Sequence, residues 1–122
     1  MALVPLATQG NFLHIYDFHV EEAHIDEFVA LFNEFDYSDG NPMHKSWAQV
    51  KDGVLCQDVT DKTHFWLIAE WSDIEEHARI RKILANELRP AFIKHIKGSG
   101  FIPAYAKIIS STPQHLLDGA KA

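Results

Sequence analysis

The chain has 122 residues, with eleven Lys or Arg against seventeen Asp or Glu and a formal charge of −6. That length suits one domain with a single core, and 47% hydrophobic against 23% charged residues excludes a disordered chain and a membrane protein. A negative globule repels a phosphate backbone, and no cluster of Lys and Arg with interleaved aromatics reverses this locally, so no nucleic acid is expected as a partner.

No apolar run approaches the roughly 20 residues that span a bilayer, and Met1 to Gly10 lacks the regions of a secretory signal. No membrane association is expected, and a cytoplasmic location is. Cys56 is the single cysteine, which forbids an internal disulfide and any metal site built on several thiolates.

In chain order, residues 11–20 are rich in β-branched and aromatic side chains and predict a strand. Ile25, Phe28, Val29, Phe32 and Phe35 then recur at helical spacing, with Glu21, Glu22, Asp26 and Glu27 in the early turns where the helix dipole favours them. Residues 36–42 carry turn chemistry. Extended segments are expected at 44–50, 54–59 and 63–71, with Asp52-Gly53 as a hairpin signal between the first two. Ser72 and Glu75 have capping-box spacing for a second helix from about Asp73. Its apolar stripe is Ile80, Ile83, Leu84 and Leu88, and Glu75 and Arg79 form a pair four residues apart. Pro90 should divide this helix from a further piece at 91–97, which ends at Gly98. Residues 101–110 predict the last strand.

This order gives an α+β chain of ferredoxin-like plan, an antiparallel sheet with two main helices on one face. We expect one domain over 1–122, a core at about 11–110, and a tail at 111–122 that is either mobile or packed on a partner. In the first strand Phe12, His14, Tyr16 and Phe18 alternate with Leu13, Ile15, Asp17 and His19, so neither sheet face reads as solvated. Two identical sheets packed face to face would bury both, which predicts a homodimer.

Glu70-Trp71-Ser72-Asp73 closing a strand, with His77 one turn into the next helix, resembles the dimeric α+β barrel superfamily. Within it, the chain resembles the antibiotic biosynthesis monooxygenase-like proteins, where a strand ending in Glu-Trp precedes a capping residue and a helical histidine. The resemblance covers about residues 11–110. It implies a dimeric barrel and a small-molecule ligand, and admits oxygenases that use no cofactor, isomerases, cyclases and members without activity. His14 stands where haem-degrading members present asparagine, which argues against their site.

The eight histidines include no pair spaced for a metal on one element, so no metal is expected, and a site could arise only across elements. His77 lies three residues before Ile80, on the stripe facing the sheet. It is either a histidine hydrogen-bonded at the helix edge or a group that moves a proton near neutral pH. In the strand from Thr63, His64, Trp66, Ile68 and Glu70 share one face and Phe65, Leu67, Ala69 and Trp71 the other. Tryptophans are ordinarily packing residues. With His14, Tyr16, His64 and Tyr105, however, they also suit a pocket for a flat, mostly apolar ligand. No nucleophile turn surrounds Cys56 or a serine, and Gly98-Ser99-Gly100 opens no helix, so neither acyl transfer nor a nucleotide cofactor is expected.

The favoured expectation is a cofactor-independent monooxygenase-like enzyme acting on an aromatic or polycyclic small molecule. In it His77 is the catalytic base, and Trp66, Trp71, Tyr16, His14 and His64 bind substrate. The alternative is a non-catalytic module of the same dimeric fold that binds a small ligand or a protein.

Overall fold

The computed structural model describes residues 3–98 and 101–120. Four strands, β1 (Phe12–His19), β2 (Gln49–Gln57), β3 (His64–Trp71) and β4 (Ala104–Lys107), form an antiparallel sheet in the order β2-β3-β1-β4. Helix α1 (Ile25–Asp36) follows β1, α2 (Ile74–Ile83) follows β3, and a short α3 (Gln114–Gly119) lies near the end of the chain. This is the ferredoxin-like α+β arrangement expected.

The register fixes which side chains share a face. His14 pairs with Ala69, Tyr16 with Leu67 and Phe18 with Phe65, so the even positions of β1 and the odd positions of β3 form the inner face, beneath the helices. Phe28 and Phe32 of α1 pack on Tyr16, Phe18 and Phe65, joined by Phe92 and Ile96 from the segment after α2. A second cluster unites Trp71 and Ala69 with Met43, Ile80 and Leu84. A fully buried aromatic contributes about 1.5–3 kcal/mol through the area it removes from water, so Phe28 and Trp71 anchor the two halves of this core.

Several local expectations are corrected. Residues 42–45 form a 3-10 turn, because Pro42 sits at its start and Asn41 Oδ1 accepts from the Met43 amide at 3.0 Å. Asp52-Gly53 makes no hairpin. It lies inside β2 at a register shift, where a Cβ on Gly53 would meet Ala69 and the Ile68 carbonyl at 3.4 Å. The reversal instead falls at 58–63. There Asp58 Oδ1 accepts from the amide and hydroxyl of Thr60, and Asp61 Oδ1 does the same for Thr63.

Asp73, not Ser72, caps α2, accepting from the Glu75 and Glu76 amides, and Arg79 pairs with Glu76 rather than Glu75. The stripe also fails at Leu88, which is exposed. Residues Leu84–Leu88 widen into a π turn closed by Arg89 N–H on the Leu84 carbonyl at 2.8 Å, and the extra residue rotates Leu88 off the core. Arg89 in the left-handed region and Pro90 then end the helix, as Pro90 predicts. The piece at 91–97 is a 3-10 turn, Ala91–His95, and Gly98 has φ +59, while Ser99 and Gly100 lie outside the described residues.

The last strand is shorter than expected, four residues, after Pro103, which has no amide to donate. The tail carries α3, and Ser111 Oγ and Gln114 Nε2 donate to the carbonyls of Ala7 and Leu3, tying it to the start of the chain. No helix among the described residues is long and apolar enough to cross a membrane.

Candidate functional site

The inner face converges on a polar cluster inside an aromatic shell. His14 and Tyr16 come from β1, Trp71 from the end of β3, His77 and Arg81 from successive turns of α2, and Tyr105 from β4, opposite His14 in the register. Period-2 alternation places His14 and Tyr16 together, and the i,i+4 step along α2 places His77 with Arg81. Trp71 Nε1 donates to His14 Nδ1 at 2.9 Å. Since the indole nitrogen can only donate, His14 Nδ1 must accept, so a neutral His14 carries its proton on Nε2.

That Nε2 is buried and has no hydrogen-bond partner among the described residues. His14 lines a cavity of about 50 Å³ between sheet and helices, whose other walls include Tyr16, Phe32, Met43, Leu84 and Phe101. Asp36, His44 and Asp52 lie along the same cavity. A buried donor left without a partner costs about 1–3 kcal/mol, and this Nε2–H is free to meet an acceptor placed in the cavity.

His77 is fully buried between two phenols. Its Nδ1 lies 2.7 Å from Tyr105 Oη and its Nε2 lies 3.4 Å from Tyr16 Oη. The His14 and His77 rings are 4.6 Å apart between centroids. Burial, and then the charge that His77 would carry, lower His14 to about 3. Burial, and then the Arg81 guanidinium, lower His77 to about 4. Both are neutral imidazoles at pH 7. Burial raises the Tyr16 phenol, against the opposing pull of Arg81, and Tyr105 is raised for the same first reason. Arg81 donates from Nη2 to the Phe101 carbonyl at 2.7 Å, and its Nε is buried without a partner among the described residues. Phe101 stacks on Tyr16 at 4.4 Å, closing one side of the cluster.

Of the expected site residues, His77, His14, Tyr16 and Trp71 come together here. His64 and Trp66 do not, because they occupy even positions of β3 and lie on the outer face. There His64 Nε2 meets Asp17 Oδ1 at 2.5 Å and Nδ1 meets Asp58 Oδ2 at 3.1 Å, and these two hydrogen bonds raise His64 above its ordinary value. Leu13, Ile15, Val54, Cys56 and Ile68 share that face, and residues 4–6 form an apolar groove with it. Glu70, also on this side, is buried and accepts at Oε2 from the Thr8 amide at 2.9 Å and Asn11 Nδ2 at 2.8 Å.

Arg81 was missed in the sequence, although its position one turn beyond His77 on the same helix face was a usable signal. Phe101 gave none, since its place depends on the path of the segment before β4.

No protein-family model matches the sequence, and no curated protein matches it. Solved structures do resemble it in fold. A putative antibiotic biosynthesis monooxygenase from Bordetella bronchiseptica aligns over 84% of this chain and 100% of its own, with TM-score 0.66 and 12% identity. One from Caulobacter crescentus aligns over 86% and 95%, with TM-score 0.60 and 13% identity. A NIPSNAP family protein from Agrobacterium tumefaciens aligns over 79% and 89%, with TM-score 0.55 and 11% identity. The chain therefore has the fold of the antibiotic biosynthesis monooxygenase-like dimeric α+β barrels.

Proposed function

We propose that the chain acts as a homodimeric, cofactor-independent monooxygenase-like enzyme on a flat phenolic or quinol-type aromatic molecule bound between sheet and helices. The observation that carries this reading is the Tyr16–His77–Tyr105 chain of hydrogen bonds beside the unpartnered Nε2–H of His14. His77 is the base and Tyr16, which lines the cavity, is its contact with substrate. The substrate proton passes to the Tyr16 oxygen as Tyr16 gives its own to His77 Nε2, while Nδ1–H donates to Tyr105. A neutral His77 is a weak base in the empty site. The substrate anion and the imidazolium form together, each favouring the other, and His14 Nε2–H and Arg81 stabilise the anion.

Electrons then leave the substrate carbanion for dioxygen. A C–O bond forms as a hydroperoxide, which loses water to leave a carbonyl. The peroxide anion takes back the proton held on His77, and the phenol O–H carbon and the ring C–H carbon that bound oxygen become the two C=O groups of a quinone. One oxygen atom enters the product and the other leaves as water, so four substrate electrons reduce one O₂. A dry aromatic shell protects the anion from reprotonation by solvent.

The outer sheet face supports the dimer. Its apolar side chains find cover in a second copy of the same sheet, and the structures it resembles belong to a fold family that is typically dimeric. Trp66 and His64 then belong to the interface region.

The small cavity, with both His77 nitrogens already hydrogen-bonded, favours one second reading, a ligand-binding module without turnover. Oxygen uptake against a panel of polycyclic quinols and phenols, without added cofactor, separates the two. The enzyme reading expects uptake that falls by about 10²–10⁴-fold in His77→Ala. Binding of a panel compound with no uptake supports the module, and uptake unchanged in His77→Ala removes His77 as the base.

A further inference from the structure

Away from this site, where α1 begins, three side chains from three elements meet. His24 ends the 3-10 turn Glu22–His24, Glu27 lies in the first turn of α1, and His95 ends the turn Ala91–His95. One ligand atom from each lies within 4.8 Å of the others. We propose that His24, Glu27 and His95 form a binding site for a late first-row divalent cation, for which Zn²⁺ is the natural probe.

Donor chemistry and geometry both support it. Two imidazoles and one carboxylate suit zinc, copper or nickel. Metal–ligand bonds of about 2.0–2.1 Å in a tetrahedron place neighbouring ligand atoms about 3.3–3.4 Å apart. Glu27 Oε2 is 3.3 Å from His95 Nε2 and 3.6 Å from His24 Nδ1, so the carboxylate already sits at ligand spacing from both rings.

The His95 side chain is 9% exposed, and its Nε2 has no hydrogen bond of acceptable geometry among the described residues. It is a buried ring nitrogen beside a carboxylate but out of hydrogen-bond alignment with it. The His24 ring stacks on His95 at 4.7 Å and is half exposed, free to turn its Nδ1 toward the shared point. Lys94 Nζ, 3.9 Å from Glu27 Oε1, is exposed on a flexible stem and can yield to a cation.

The backbone holds the parts in place. Glu21 N–H donates to the His95 carbonyl at 3.2 Å, Lys97 N–H donates to the His19 carbonyl at 2.9 Å, and Val20 bridges Ile96. The turn carrying His95 is thus fastened beside the start of α1 before any ion arrives. A bound cation would clip α1 to the segment after Pro90, adding stability through preferential binding to the folded state.

Isothermal titration of the purified chain with Zn²⁺, together with melting temperature against Zn²⁺ concentration, tests this. The expected result is one Zn²⁺ per chain and a rising melting temperature. His24→Ala, at a half-exposed position, and Glu27→Gln, at an exposed one, lie outside the buried core and should each weaken binding by at least about tenfold. His95→Gln should abolish binding, with circular dichroism verifying its fold. Three results overturn the proposal: no saturable binding, affinity unchanged in His24→Ala and Glu27→Gln, or binding lost instead in His44→Ala, which would move the ion to the Asp36–His44–Asp52 group.

Discussion

The two faces of the sheet treat the same residue type in opposite ways. Inside, His14 and His77 are stripped of water and pushed well below the ordinary imidazole range, and the neighbouring charges they face are positive. Outside, His64 sits between two aspartates and is held above that range. Imidazoles on the two faces of one sheet are thus pushed in opposite directions, because strand alternation puts His14 of β1 in a dry aromatic shell and His64 of β3 beside a carboxylate pair. The contrast shows that the abundance of histidine in the sequence carried no single meaning.

The contrast breaks most strongly at the tryptophans. Trp71 is fully buried and orients His14, so Trp71→Ala should cost about 3–5 kcal/mol of unfolding free energy by denaturant titration. Trp66→Ala should cost less and should make stability depend on protein concentration if the outer face is the dimer interface. A cost for Trp66 larger than that for Trp71 would invert the assignment of faces. Next in size is Ile68→Asp on the outer face, expected to turn a dimer into a monomer in analytical ultracentrifugation. A wild type that sediments as a monomer at every concentration would remove the interface.

Smaller effects appear in the pH dependence. The folded-state values of His14 and His77 lie below the unfolded value of 6.5, so the unfolded chain binds more protons between them. Their contribution is complete above pH 6.5 and is lost as pH falls toward 4 and then 3. His14→Gln should flatten this acid limb of the stability curve, and an unchanged limb would contradict burial as its cause. His64 works in the other direction. Its contribution is present below pH 6.5 and is lost as pH rises through its elevated folded value. Because His64 and its aspartates lie near the surface, Asp17→Asn should have the smallest effect of the series.

Much of the fold was legible because period and punctuation agreed. β1, α1, β3 and the start of α2 follow from alternation, helical spacing and the polar run after Trp71. Asp52-Gly53 misled because a hairpin dipeptide and a bulge share the same glycine, and only the approach of β3 to Gly53 distinguishes them. The site was half legible. The parity of β3 already separated Trp66 from Trp71, but which parity faces the helices depends on pairing with β1, a long-range register that local sequence does not encode. Arg81 needed only the helical period. The His24–Glu27–His95 group was illegible because 68 residues separate its last two members and a backbone bridge unites them.

The difference between the faces can be read directly from imidazole NMR shifts of His14, His77 and His64 followed from pH 3 to pH 8. The account predicts that His14 and His77 stay neutral until the pH falls to about 4 or below, while His64 takes its proton above pH 6.5. His14 or His77 titrating near 6.5 would mean that the inner cluster is open to water, and would contradict the dry proton relay on which the proposed chemistry rests.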